Sequence, residues 1–176
     1  NEIGTINDIK TISQICKEHN ILFHVDTKQA VGKLKFDLAE INLDFMSFTA
    51  HKLYGPKGIG ALYINSKNPK AKLVQRIFGG TQEGIIKPGT LNVPAIVGFG
   101  KAIELCEAEM EKDYEHTKRL RDSFYKYISS NLEGIIPNGS MTERLPNNLN
   151  LCVVGVRADK LMLELRELAF SNSSAC

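Results

Sequence analysis

The chain has 176 residues, of which 43% are hydrophobic, so it is long enough to bury a core. Its 22 lysines and arginines stand against 20 aspartates and glutamates, and this near balance gives no reason to expect nucleic acid or an acidic membrane surface as a partner. The apolar runs are far shorter than the roughly 20 residues that a membrane span needs. Four cysteines without a CxxC pair favour a reducing compartment over a disulfide scaffold.

The first predicted element is a helix over residues 7–20. Ile9, Ile12 and Ile15 recur there at helical spacing, and Asn7 is the expected N-cap. The chain begins with Asn-Glu rather than Met, which indicates a piece of a longer protein. This helix opens a stretch in which helix-like and strand-like segments alternate.

Three short apolar runs in this stretch predict strands. They cover residues 21–26, 45–50 and 58–65, and residues 36–42 between the first two are expected to form a short helix. Strand, helix and strand at this spacing are typical of an α/β fold with parallel strands.

A long helical stretch, residues 95–132, separates this part of the chain from the rest. A turn-rich region follows it, then a predicted strand within residues 149–156 and a predicted helix over residues 157–168. This change of pattern predicts that a second, smaller domain opens after the long helix.

Polar side chains follow the carboxyl ends of the first two predicted strands. The first strand delivers Asp26 and Gln29, and the second delivers Thr49, His51 and Lys52. In open α/β sheets the ligand lies outside these strand ends. One crossover connection would make the strands neighbours, roughly 5 Å apart. The five side chains are therefore predicted to surround one pocket.

This combination of groups favours pyridoxal phosphate as the ligand. That cofactor needs a lysine for a covalent bond, an acid for its pyridine nitrogen and donors for its phosphate. The acid keeps the ring protonated, and the lysine must be partly desolvated to react. Taken singly, each residue has a plainer explanation, because a lone Asp at a strand end is more often a cap and a Lys–His pair in a loop is usually solvated. Lys57, in the same loop, is expected to be basic surface.

The segments HVDTKQAVGK and SFTAHKLYGPKGIGALYI closely resemble the cysteine desulfurases, which are pyridoxal-phosphate enzymes of the class V aminotransferase family. The likeness runs from NEIG through GTLNVPAIVGFGKA and PNNLNL to SNSSAC, so it covers essentially the whole chain. It implies the α/β fold of type I pyridoxal-phosphate-dependent transferases (aspartate-aminotransferase-like), with a mostly parallel sheet in the large domain. Residues 1–108 would be the second half of that domain, and residues 109–176 the linking helix and a partial small α+β domain.

The resemblance also implies roles at the cofactor ring. Lys52 would carry the covalent link to the cofactor and shuttle protons. Asp26 would pair with the ring nitrogen, and Gln29 would hydrogen-bond the phenolic oxygen, with Asn1 close by.

The phosphate and the substrate sulfur would be handled by other residues. Thr49 and His51 would bind the phosphate. Thr90 would reach the phosphate of the partner subunit, which implies a homodimer. Cys176 matches a catalytic cysteine on a mobile loop, where it would accept the sulfur as a persulfide. No fixed metal site is implied, although Cys176 could transiently ligate an iron–sulfur cluster.

The implied reaction converts L-cysteine into L-alanine and leaves persulfide sulfur for iron–sulfur cluster assembly and other sulfur transfer. Implied partners are a second copy of the chain, an iron–sulfur scaffold and other sulfur acceptors. The implied location is the bacterial cytoplasm, with the mitochondrial matrix as the alternative. Two other functions stay open: another class V aminotransferase or selenocysteine lyase, and a catalytically inactive truncated remnant.

The sequence departs from the family pattern at three places. GGTQEGIIKPGT, residues 79–90, lacks one arginine and has Lys87 in place of another, and lysine does not replace arginine at a planar bidentate contact. DTKQA replaces the commoner Asp-Ala-x-Gln-Ser, and Ser173 replaces a loop glycine, which is expected to stiffen the loop.

Overall fold

The structure is a computed structural model that describes residues 1–84 and 86–172. It divides into two compact units, one formed by Asp8–Met110 and the other by Asn1–Asn7 together with the chain from Glu111 onward. The elements in chain order are α1 (Ile9–Glu18), β1 (His24–Asp26), β2 (Phe45–Thr49), a 3-10 helical turn (Ala50–Leu53), β3 (Gly60–Ile64), α2 (Val93–Asn131), β4 (Ile135–Pro137), β5 (Leu151–Val153) and α3 (Ala158–Glu164). Within the part of the chain that the structure describes, no helix combines the length and apolar character needed to cross a membrane.

The N-cap of helix α1 is Asp8 rather than Asn7. The Asp8 carboxylate accepts hydrogen bonds from the Thr11 backbone N–H at 3.0 Å and from the Thr11 hydroxyl at 2.6 Å. Because a cap must reach the N–H three residues further on, Asp8 satisfies this end of the helix. The expectation of an Asn7 cap is therefore wrong by one residue.

The sheet of the Asp8–Met110 unit is mixed. Strand β1 pairs with β2 in parallel, whereas β3 returns antiparallel to β2, with Thr49 opposite Gly60. A parallel return needs a crossover of about a dozen residues or more, and the connection between β2 and β3 is shorter than that. All three predicted strands are present, and the parallel direction holds for the first pair.

The predicted short helix over residues 36–42 is wrong. The chain there makes a single turn, in which the backbone N–H groups of Glu40 and Ile41 both donate to the carbonyl of Asp37. The Asp37 carboxylate accepts from the Ala39 N–H at 2.7 Å, a local bond that competes with helix formation.

Asp44 fixes the start of the parallel strand pair. Its carboxylate is 2% exposed, accepts the Phe23 backbone N–H at 2.7 Å and accepts the Asn68 side-chain amide at 2.5 Å. The Asp44 backbone N–H donates back to the carbonyl of Phe23 at 3.0 Å. These bonds hold the residue before β1 against the residue before β2, and so set which residues of the two strands lie opposite each other.

A hydrophobic cluster packs beside the hydrogen bonds of Asp44. Ile41, Leu43 and Met46 are buried at its centre. The half-buried residues that pack against them come from α1, the strands and the turn between them: Ile9, Phe23, Val25, Phe36, Leu38, Phe48 and Tyr63. Burial of these side chains is the main favourable free-energy term that holds α1 and the sheet together.

The other unit contains the antiparallel pair β4–β5 and helix α3. Strand β5 and helix α3 fall inside the predicted segments, whereas β4 was not predicted. Helix α3 ends at Glu164, earlier than expected. Beyond its end, the Arg166 side chain donates to the carbonyl of Leu163, which lies in the last turn of the helix, at 3.0 Å. The long helix is confirmed as one continuous element, α2. The domain boundaries drawn from the resemblance stay a prediction.

Arg144 fastens the first seven residues to this unit. Its side chain is 1% exposed and donates to the carbonyls of Ile3 and Ser140, both at 2.8 Å, and to the carbonyl of Asn138. A further bond reaches the Asn148 side-chain oxygen at 3.1 Å. Every acceptor is a neutral oxygen and each bond is partly buried, so loss of the guanidinium would leave several partly buried carbonyls unpaired.

We expect Arg144→Met to lower the free energy of unfolding of this unit by roughly 2–4 kcal/mol, because several partly buried carbonyls lose their hydrogen bonds to the guanidinium. Hydrogen exchange should report it directly at the amides of Ile6 and Leu145, which bond across the same junction. Arg166→Met, at an exposed arginine, is the matched control and should change exchange little. Equal protection in both variants would contradict the role of Arg144.

Candidate functional site

The carboxyl ends of β1 and β2 form one edge of the sheet. Asp26, the last residue of β1, lies opposite Ser47, and Thr49 ends β2. An open depression of about 240 Å³ at this edge is lined by Asp26, Lys28, Ser47, Phe48 and Thr49. The structure therefore brings together Asp26 and Thr49, two of the five residues that the sequence predicts around one pocket.

Both oxygens of the Asp26 carboxylate are engaged by Lys28. Oδ1 accepts the Lys28 backbone N–H at 3.1 Å, and Oδ2 lies 3.1 Å from the Lys28 ammonium. Partial burial acts to raise the pKa of Asp26, but the contacts with Lys28 and the nearby His24 outweigh it, so this pKa lies below its ordinary value of 3.8. Asp26 thus contributes stability at neutral pH that is lost as the pH falls through its folded-state pKa.

Thr49 links the strand end to His51. The Thr49 hydroxyl donates to the Ile59 carbonyl at 3.2 Å and lies 2.9 Å from His51 Nδ1. A hydroxyl has one hydrogen, so with that hydrogen on Ile59 the Thr49 oxygen accepts from the His51 Nδ1–H. This pair fixes the orientation of the imidazole, whose ring is exposed at the site.

The 3-10 helical turn that carries His51 and Lys52 is anchored by its other two residues. Ala50 and Leu53 are 0% and 4% exposed, and they pack with Phe99 and Ala102 of α2. Ala50 and Leu53 are three residues apart, so a 3-10 helix puts both side chains on its inward face, while His51 is exposed and Lys52 is half-buried. The backbone position of Lys52 therefore depends on the packing of Ala50 and Leu53.

A second turn, residues 27–34, packs against the first. Gly32 has a φ of +76°, and a Cβ there would lie 2.6 Å from Leu53 Cδ2 and 3.2 Å from Cys106 Sγ. This close approach brings the turn that contains Gln29 against the turn that contains Lys52. Glycine is required at position 32 both by the backbone conformation and by the space.

Lys33 lies in the same turn, residues 27–34. Its ammonium donates to the Gln29 carbonyl at 3.3 Å. Burial lowers the pKa of Lys33, the charge of nearby Lys52 lowers it further, and Cys106 acts in the opposite direction. The structure thus places a second, half-buried amine in the electrostatic neighbourhood of Lys52.

The other three predicted site residues are Asn1, Thr90 and Cys176. Asn1 belongs to the other unit, where its side-chain amide donates to Glu2 at 2.9 Å. Thr90 is exposed just before α2. Cys176 lies outside the described residues. The predicted roles of these three residues stay predictions.

Two lysines of the site were given no role from the sequence. Lys28 stands between Asp26 and Gln29, and a lysine two residues after a strand-end aspartate is the signal that could have indicated the ion pair. Lys33 has no comparable signal, because its burial arises from tertiary packing. Over residues 1–84 and 86–172, no group of three or more His, Cys, Asp or Glu side chains is arranged to hold a metal ion.

A comparison with protein-family models matches residues 1–174 to "Aminotransferase class-V". Among curated proteins, "Cysteine desulfurase IscS" of Mannheimia succiniciproducens is 47% identical over 176 residues, which are 100% of this chain and 43% of that protein. "Cysteine desulfurase, mitosomal" of Encephalitozoon cuniculi is 44% identical over 175 residues, which are 99% of this chain and 40% of that protein. The chain thus spans less than half the length of these relatives.

The fold is also similar to that of a solved structure. The crystal structure of a NifS-like protein from Rickettsia africae superposes with a TM-score of 0.88 at 28% identity. The match covers 98% of this chain and 48% of that one. The α/β architecture described above, with its mixed sheet, is therefore that of the NifS-like proteins.

We expect Gly32→Ala to lower the free energy of unfolding by about 2–4 kcal/mol, because a methyl group adds a clash with Leu53 to the cost of a left-handed backbone. Gly58→Ala is the matched control, since Gly58 has a φ of +82° with no atom within 4 Å of the added methyl. It should cost only the backbone term, about 1 kcal/mol. Urea unfolding followed by circular dichroism measures both, and equal losses would show that the close approach contributes nothing.

Proposed function

The chain belongs to the class V aminotransferase family, and on that premise we propose that it forms part of a pyridoxal-phosphate-dependent cysteine desulfurase. The reaction is the removal of sulfur from L-cysteine, which gives L-alanine and a persulfide. The relatives that carry the name cysteine desulfurase, at 44–47% identity, support this choice within the family.

One observation supports the proposal most strongly. Asp26 and Thr49 line a single depression, Thr49 is hydrogen-bonded to His51, and Lys52 follows His51 in the same turn. A carboxylate and a hydroxyl therefore line the depression, and an imidazole and a half-buried lysine follow in the turn directly after β2, at the strand ends where ligands of α/β folds bind.

This donor set fits pyridoxal phosphate. When bound, the cofactor supplies an aldehyde for an amine and a protonated ring that takes up electrons from the substrate. The Asp26 carboxylate, ionised at neutral pH, would accept the ring N–H. Lys52 would form the covalent link and would move the proton at the substrate α-carbon.

Thr49 can bind a phosphate without leaving a buried carbonyl unpaired. To donate to a phosphate oxygen, its hydroxyl must turn away from the Ile59 carbonyl. That carbonyl also accepts the Ala50 backbone N–H at 3.1 Å, so it stays hydrogen-bonded after the turn. The rearrangement therefore costs one weak hydrogen bond and gains a stronger one to a charged acceptor.

Cys176 would accept the sulfur. Its thiolate, which is the nucleophilic form, would attack the sulfur of L-cysteine, and a sulfur–sulfur bond forms as the carbon–sulfur bond breaks. The substrate leaves as L-alanine, and the persulfide is then passed to an acceptor. A loop position for Cys176 would let the same sulfur reach both the site and an acceptor protein.

The proposal extends to partners and location. The active protein would be a homodimer in which Thr90 reaches the phosphate of the partner subunit, and its acceptors would include an iron–sulfur scaffold. The location would be the bacterial cytoplasm, with the mitochondrial matrix as the alternative. The relatives include bacterial proteins and one that is named as mitosomal.

The test uses the full-length protein with pyridoxal phosphate, borohydride reduction and peptide mass spectrometry. The covalent adduct should map to Lys52 and vanish in Lys52→Ala, because that side chain supplies the amine. Lys57→Ala, in the same loop, is the matched control and should keep the adduct. With L-cysteine and a thiol reductant, Cys176→Ser should reduce alanine and sulfide formation by about 100-fold or more, since a covalent step is removed.

Two results would refute the proposal in different ways. An intact protein that forms alanine solely by transamination of pyruvate would be another class V aminotransferase. A protein that forms no adduct on Lys52 would be the inactive remnant.

A further inference from the structure

Lys28 contacts both oxygens of the Asp26 carboxylate, and its two contacts differ in how readily a ligand could displace them. Oδ1 is fixed by the Lys28 backbone N–H, a bond made within the turn itself. Oδ2 faces the Lys28 ammonium, which sits on a flexible side chain that is 40% exposed. Because the ammonium is the contact on a movable side chain, a ring N–H that approaches Oδ2 would displace it or share the oxygen with it.

We propose that Lys28 is a positioning residue that competes with the cofactor ring nitrogen for Asp26 and so weakens cofactor binding by this chain. The inference rests on the proposed function, because it needs pyridoxal phosphate to bind at Asp26. It concerns a residue that lines the depression together with Asp26 and Thr49.

Lys28 is not needed to keep Asp26 charged. The ordinary carboxyl pKa of 3.8 lies far below neutral pH, so Asp26 stays ionised even when the contacts with Lys28 are removed. His24, on the same strand, also favours the ionised form. Removal of the ammonium therefore frees an oxygen without discharging the carboxylate. A positive charge beside Oδ2 also disfavours a second cation, the protonated ring, at the same oxygen.

The experiment measures the dissociation constant of pyridoxal phosphate for the full-length protein by absorbance titration. Lys28→Met, which keeps the length of the side chain and removes its charge, should tighten binding about two- to five-fold, the range that corresponds to one exposed ion pair. Lys28→Arg, which keeps the charge, should bind as the wild type does.

Lys67→Met is the matched control for loss of one positive charge. Lys67 is exposed and follows β3, whose last residue, Ile64, lies opposite Phe45 at the other end of β2 from Thr49. Its loss should leave the dissociation constant unchanged. An equal gain in Lys67→Met and Lys28→Met would overturn the inference, because it would show a general effect of charge.

A cofactor analogue with carbon in place of the ring nitrogen separates competition from other effects. This 1-deaza pyridoxal phosphate cannot donate to Asp26, so Lys28→Met should not change its affinity. An equal change for both ligands, or weaker binding of pyridoxal phosphate by Lys28→Met, would overturn the inference.

A readout without cofactor completes the test. In carboxyl ¹³C NMR titrations, Lys28→Met should raise the pKa of Asp26 and Lys28→Arg should keep it low; an unchanged pKa in Lys28→Met would overturn the inference. If the wild type forms no adduct on Lys52, the proposed function fails and this inference fails with it. If the adduct forms and all affinities are equal, the inference alone fails.

Discussion

The parallel pairing of β1 with β2 is the constraint on which the candidate site depends. The buried Asp44 carboxylate fixes its register by holding the backbone of Phe23 before β1 begins. A shift by one residue would turn every side chain of β1 to the opposite face. Asp26 would then leave the depression that it shares with Thr49. Asp44 lies at the start of the strand pair, whereas Asp26 and Thr49 lie at the strand ends. A residue far from the candidate site therefore sets its geometry.

A second constraint acts on the turn after β2. Ala50 and Leu53 are buried against α2, and the close approach of Gly32 leaves little room for movement beside Leu53. His51 and Lys52 lie between these two anchors, so the packing of Ala50 and Leu53 sets the position of the backbone that carries them. Asp26 and Thr49 end strands, while His51 and Lys52 lie on a short turn that is packed against a helix. The strands and the helix thus give the polar groups a defined geometry.

The placement of several candidate residues at strand ends, and part of the fold, could be predicted from the sequence. Strand ends that deliver Asp26, Thr49 and His51 can be recognised locally, because apolar runs and the polar residues that end them are properties of short segments. The direction of β3 was not predicted by the parallel pattern, because it depends on the length of the connection after β2. At residues 36–42, local hydrogen bonds to Asp37 form a single turn in place of the expected helix. The N-cap of α1 is Asp8 and not Asn7. The burial of Lys33 follows from packing between turns, which no local pattern encodes.

We expect this sheet edge to bind pyridoxal phosphate through Asp26, Thr49, His51 and Lys52. A crystal structure of the full-length protein with the cofactor is the direct test. Electron density should join the cofactor to Lys52 Nζ, with the ring nitrogen within about 3 Å of Asp26 Oδ2 and the phosphate hydrogen-bonded to the Thr49 hydroxyl. A cofactor bound with its ring nitrogen away from Asp26, or linked to a lysine other than Lys52, would contradict the proposed site.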